Sequence, residues 1–123
     1  MSVLCPCGSG RAYADCCQPL HEGAPAASAE ALMRSRYSAH ALGLRDYLLS
    51  SWHPSKRPAQ YALETGVKWL GLSVKQHLQT DEEHAVVEFV ARYREGGGSA
   101  QRLQERSRFV REQGHWYYLD GEY

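Results

Sequence analysis

The apolar positions of this chain follow two periods, and the change falls near Gly66. Between Ser28 and Leu44 they recur at steps of three and four, so that Leu32, Met33, Tyr37, Ala41 and Leu44 form one stripe on a helix. Ser28, ahead of Ala29-Glu30-Ala31, is the expected N-cap, and Gly43 the expected stop. A second, shorter helix is expected over 45–52, with Asp46 near its start and Pro54 and Pro58 closing it. Gln60 to Glu64 reads as a short helix or a turn.

Beyond Gly66 the period drops to two. Residues 67–78 read as a strand, and Asp81-Glu82-Glu83 as a turn. Residues 84–94 alternate, with Val87, Phe89, Ala91 and Tyr93 on one face and Val86, Glu88, Val90 and Arg92 on the other. Gly96-Gly97-Gly98-Ser99 connects to a third strand over 101–111; Gln113-Gly114 makes a tight turn into a fourth over 115–119. Helices followed by an antiparallel meander give an α+β order. The expected architecture is a cone, with helices on one face of a curved four-stranded sheet and a pocket between them.

Composition adds a boundary. A chain of 123 residues suits one domain with a small appendage. Residues 1–21 are rich in Cys, Gly and Pro, and EGAPAA at 22–27 reads as a linker. Residues 28–123 then form the α+β domain. Lys plus Arg and Asp plus Glu are fourteen each, which argues against a general nucleic-acid binder. A mean hydropathy of -0.54, with no apolar run of 18 or more residues, argues against a membrane span, and no membrane partner is expected. Leu4-Cys5 imitates a lipoprotein box, but four residues hold neither a basic region nor an apolar stretch of 7 to 15 residues. A cytoplasmic location is expected.

All four cysteines lie in CPCGSGRAYADCC, at 5–17. In a reducing compartment such clustering points to metal or redox chemistry rather than disulfides. Zn2+ takes four ligands in a tetrahedron, chiefly thiolate and imidazole. Cys5 and Cys7 can grip one ion, and the loop that follows is long enough to return Cys16 and Cys17. Gly8 and Gly10 let the backbone curl so that amide groups approach sulfur; Arg11 offers positive charge. The expected ligand set is Cys5, Cys7, Cys16 and Cys17, with His21 as the alternative to one of the vicinal pair. Such a set fills every protein position and suits a structural ion. A vicinal Cys16–Cys17 disulfide would be strained. Adjacent thiols suit an iron–sulfur cluster poorly. A thioredoxin-like centre needs a Cys-x-x-Cys that is absent.

The string resembles the SEC-C motif, the small zinc module at the C-terminal end of the SecA translocase motor. Cys5, Pro6, Cys7, Gly8, Ser9, Gly10, Tyr13, Cys16 and Cys17 match it. The resemblance implies zinc and a protein partner, as with the SecB chaperone and the ribosome in the SecA case. LMRSRYSAHALG, DYLLSSWHP, WLGLSV, VEFVARYREGG and ERSRFVREQGHWYYLDG are similar to the bacterial YchJ-like family. That likeness implies a domain like nuclear transport factor 2 (NTF2) behind the zinc motif.

The residues admit three functions. The first is a non-catalytic zinc protein whose knuckle recruits a protein partner, a ribosome or chaperone being candidates. Its cone would then be a scaffold or a small-ligand binder, Tyr13 would pack across the metal, and Cys7→Ser would melt residues 1–21 alone. The second is an isomerase- or dehydratase-type enzyme with Glu88 or Glu105 as the base inside the cone. The third is RNA binding by Arg106, Arg108 and Arg111 beside Trp116, Tyr117 and Tyr118.

Overall fold

The structure, a computed structural model, describes residues 3–63 and 66–122. A 3-10 turn (Tyr13–Asp15) leads into α1 (Gln18–His21), α2 (Ala29–Leu42) and α3 (Arg45–Ser50). Strands β1 (Val67–Gln79), β2 (His84–Glu95), β3 (Gln101–Glu112) and β4 (His115–Glu122) follow. They form one antiparallel sheet in sequence order. This is the expected α+β cone. The stretch from Gln60 to Leu63 is irregular; Glu64, the end of the expected turn, lies outside the described residues.

The ends of α2 are made by the residues that predicted them. Ser28 is extended (φ −155°), and its hydroxyl accepts from Ala31 N at 3.1 Å. Such a cap stabilises a helix by about 1 kcal/mol. Gly43 takes the left-handed conformation (φ 76°) and closes the other end.

The burial of α2 differs from a simple stripe. Leu32, Met33 and Tyr37 are buried as expected, but so are Ser35, Arg36 and Ser38. Ala41, expected on the stripe, is exposed. The helix lies between two layers, the cysteine segment and the sheet, and these cover it only as far as Ala39. Cys5, Cys7 and Cys17 share one core with Met33, Tyr37, Val87, Phe89, Phe109 and Trp116. The N-terminal segment is therefore packed into the domain behind it.

The sheet keeps the expected alternation, with one refinement. On β1, Val67 and Trp69 face inward, but farther along it is Leu72 and Val74 that pack on the core. The register shifts between Trp69 and Gly71, and an extra residue there exchanges the two faces. Gln113 (φ 52°) and Gly114 (φ 80°) both take positive φ in the β3–β4 turn, the backbone of a tight hairpin. Trp52 packs edge-on against Tyr118, and its Nε1 donates to Leu119 O at 3.2 Å, so the end of α3 is fastened beneath β4.

Between α2 and the inner face of the sheet lies a cavity of about 510 Å³. No helix among the described residues is long and apolar enough to cross a membrane.

Candidate metal centre

The N-terminal segment folds back on itself. Cys5 N donates to Arg11 O at 2.9 Å, Tyr13 N donates to Val3 O at 2.8 Å, and Leu4 bridges Ala12. Gly8 (φ 77°) and Gly10 (φ 84°) turn the loop between these arms through a conformation that a side chain would strain. The 3-10 turn then lets Cys16 N donate to Tyr13 O at 3.1 Å, and Cys17 caps α1. Two thiols on the loop are thus brought against two at a helix start.

The four sulfurs lie within 4.8 Å of one another. Cys7 Sγ is 3.6 Å from Cys16 Sγ, and Cys16 Sγ is 3.9 Å from Cys17 Sγ. A tetrahedron with bonds of about 2.3 Å needs sulfurs about 3.8 Å apart. All four thiols are free; Cys5, Cys7 and Cys17 are buried and Cys16 is half-buried. Both the spacing and the donor set fit a four-coordinate metal ion.

Electrostatics give the same fit. A hydrogen bond from the Cys17 thiol, with help from the Ser9 hydroxyl and amide, holds the Cys7 thiol far down, at about 4. Cys17 is pushed up because it donates to Cys7 and is buried; burial is also the main cause of the rise at Cys16. Four thiols in so small a volume do not share several negative charges without a cation, and a dication supplies the missing charge.

The neighbours of the cluster were only partly legible. Ser9 Oγ lies 3.2 Å from Cys16 Sγ, and Ser38 Oγ lies 3.3 Å from both Cys5 Sγ and Cys17 Sγ. Arg11, expected to face the thiolates, donates instead to Asp15 O. Arg34 reaches in from α2 and donates to Cys7 O at 2.8 Å. His21 stands apart from the group of four: its Nδ1 accepts from Tyr13 OH at 2.6 Å, and its Nε2 donates to Ser35 O at 2.8 Å. Tyr13 packs on the buried cluster through this link. Ser35 and Ser38 were the missed signal, because serines three apart inside a helix compete with its backbone unless something else engages them.

The other candidates separate by face. Glu88 lies on the outer face, opposite Arg106 in register, and is not a group of the cavity. Glu105 does line the cavity and is buried, but it accepts hydrogen bonds from Ser107 Oγ and from Tyr118 OH at 3.3 Å. Arg108 forms a two-pronged pair with Asp120, and Arg111 lies 5.6 Å over the Trp116 ring. Trp116 is buried and Tyr118 lines the cavity, so neither offers an open stacking face.

Comparison with known proteins agrees with this geometry. Residues 28–121 match the family described as YchJ, middle NTF2-like domain, and residues 1–19 match the SEC-C motif. A UPF0225 protein of Xanthomonas campestris is 58% identical over 118 residues, which is 94% of this chain and 92% of the relative. A UPF0225 protein of Bordetella parapertussis is 55% identical over 124 residues, covering 98% and 92%. The solution structure of a SEC-C motif containing protein from Rhodopseudomonas palustris superposes with a TM-score of 0.87 at 42% identity, covering 96% of each chain. A crystal structure of a SEC-C motif containing protein from Psychrobacter arcticus gives 0.82 at 33% identity, covering 94% of this chain and 80% of that one.

Proposed function

This chain belongs to the YchJ (UPF0225) family, in which a SEC-C motif precedes an NTF2-like domain, and from that premise we propose that it is a zinc-braced recognition protein. The observation that carries the reading is the cluster of four free sulfurs within 4.8 Å. Cys5, Cys7, Cys16 and Cys17 would hold the ion. An all-thiolate set suits zinc best among the common structural metals. Filling all four positions with protein sulfur leaves no site for a substrate, so the ion's role is to shape the segment that holds it. The cytoplasm is the compartment that keeps such thiols reduced and able to bind metal.

Beside the cage the chain presents apolar surface. Val3 is 76% exposed and Leu4 66% exposed, on the arm whose hydrogen bonds hold the cysteine loop together. Two adjacent large apolar side chains on a fixed backbone suit a protein partner, with a ribosome or chaperone as the class the SEC-C motif implies. The cone behind them is a small-ligand binder rather than a bare scaffold, because its cavity is of ligand size and holds charged groups.

Capture from cell extract tests the docking role. The zinc-loaded chain retains a protein partner, and both chelation and the double substitution Val3→Asp, Leu4→Asp abolish retention. Equal retention by the double variant would assign docking to another surface.

A further inference from the structure

Arg36 is only 8% exposed, yet it forms no ion pair among the described residues. Its Nη1 donates to Leu48 O at 2.8 Å and to Ser51 Oγ at 2.6 Å. Its guanidinium carbon sits 4.4 Å over the Tyr118 ring and 5.2 Å from the Trp52 ring. These contacts fix the group in place and use one nitrogen. Nε and Nη2 take no hydrogen bond among the described residues. No buried side-chain polar atom there lacks a partner, so these two open onto the cavity that Arg36 lines. A fixed guanidinium with its Nε–Nη2 edge free is a two-pronged seat for a planar anion.

The rest of the wall narrows the choice. The cavity, about 510 Å³, is the size of a small-molecule site. Trp69, Phe89 and Phe109 supply aromatic surface. Glu105 stands on the same wall, with Oε2 engaged by Ser107 and Tyr118. Its carboxylate disfavours a dianion such as a phosphate monoester. His40 takes no hydrogen bond among the described residues and packs edge-on against Tyr61, leaving a further polar group to meet a ligand.

We propose that the cone cavity binds a small aromatic monocarboxylate, its carboxylate on the Nε–Nη2 edge of Arg36 and its ring among Trp69, Phe89 and Phe109. This rests on the reading of the cone as a ligand binder and adds the ligand's chemical class. Calorimetric titration of the full metal-loaded chain with benzoate, indole-3-acetate, benzamide and phenyl phosphate tests it, with tryptophan fluorescence as a second readout. The carboxylates bind at least about tenfold more tightly than benzamide or phenyl phosphate and change the fluorescence. Arg36→Lys keeps the charge but loses the fork, and it weakens benzoate by about tenfold. Should that variant fail to fold, the comparison of benzoate with benzamide on the unaltered chain still decides. Benzamide binding as tightly as benzoate, or phenyl phosphate more tightly, overturns the ligand class while leaving the cone a ligand binder. Binding by none of the four overturns both.

Discussion

Ser38, in the middle of α2, donates its hydroxyl to the sulfur of Cys17 at 3.3 Å. The bond crosses from the domain's longest helix to the cysteine cluster, and both residues are buried. It makes the helix a supporting wall of the cage, so that the cluster and the cone are built as one body. Outer partners of this kind orient the ligands of a metal and tune its affinity.

Ser38→Ala should lower stability by about 1–2 kcal/mol, the loss of a buried hydroxyl that donates to Cys17 Sγ and lies 3.3 Å from Cys5 Sγ. It should also weaken metal binding by about tenfold or more. Urea denaturation and competition with a chromophoric chelator read the two effects separately. Unchanged values for both would make the contact incidental.

The shared core changes the expectation for the cysteines themselves. Because Cys5, Cys7 and Cys17 pack with Met33, Tyr37, Val87 and Phe89, Cys7→Ser should destabilise the whole chain rather than melt residues 1–21 alone. A loss of at least about 3 kcal/mol is expected from breaking a buried site of this kind. Circular dichroism and tryptophan fluorescence should report one transition at a lower temperature. Two separate transitions would restore the independent knuckle.

Much of this was legible in the chain. Ser28 and Gly43 marked both ends of α2 because a cap acts through local geometry. The alternation of β2 marked its buried face because a strand shows its environment at every second residue. The sulfur spacing marked the four thiols. Two things stayed hidden. The bulge between Trp69 and Gly71 is set by pairing with β2, and no periodicity within β1 carries it. The use of Arg36, Ser35 and Ser38 as buried groups depends on α2 being covered from two sides. A pattern read along one helix shows which positions are apolar, not how many neighbours surround it.

His40 makes stability depend on pH. Burial, and then the positive charge of Arg36, press its pKa from 6.5 down to about 4; Tyr61 and Trp69 form the rest of its ring contacts. In the unfolded chain the ring takes a proton as pH falls through 6.5, whereas in the folded chain it stays neutral to about 4. Its contribution is therefore fully present above 6.5 and is lost on acidification, by up to about 3 kcal/mol at about 1.4 kcal/mol per pH unit. His40→Gln should remove that part of the slope, as measured by urea titrations from pH 7 to 4. Parallel curves for the two proteins would contradict it.

Gly121 leaves room for Glu105. A Cβ built at Gly121 collides with the Glu105 carboxylate, so Gly121→Ala must displace that side chain from Ser107 and Tyr118. The expected loss is about 1–3 kcal/mol, with Gly121→Ala costing less in the Glu105→Ala background than in the unaltered chain. A double-mutant cycle from thermal or urea melts checks the coupling. Strict additivity would show that the two residues do not share the space.

The most direct measurement is the metal content of the chain purified without oxygen, joined to its melting temperature before and after stripping with a strong chelator. One zinc per chain is expected. Its removal should lower the single transition by tens of degrees, because a structural zinc of this kind contributes on the order of 10 kcal/mol. A chain that carries no transition metal and takes none up, or one that melts at the same temperature once stripped, would contradict the cage as the brace of this fold.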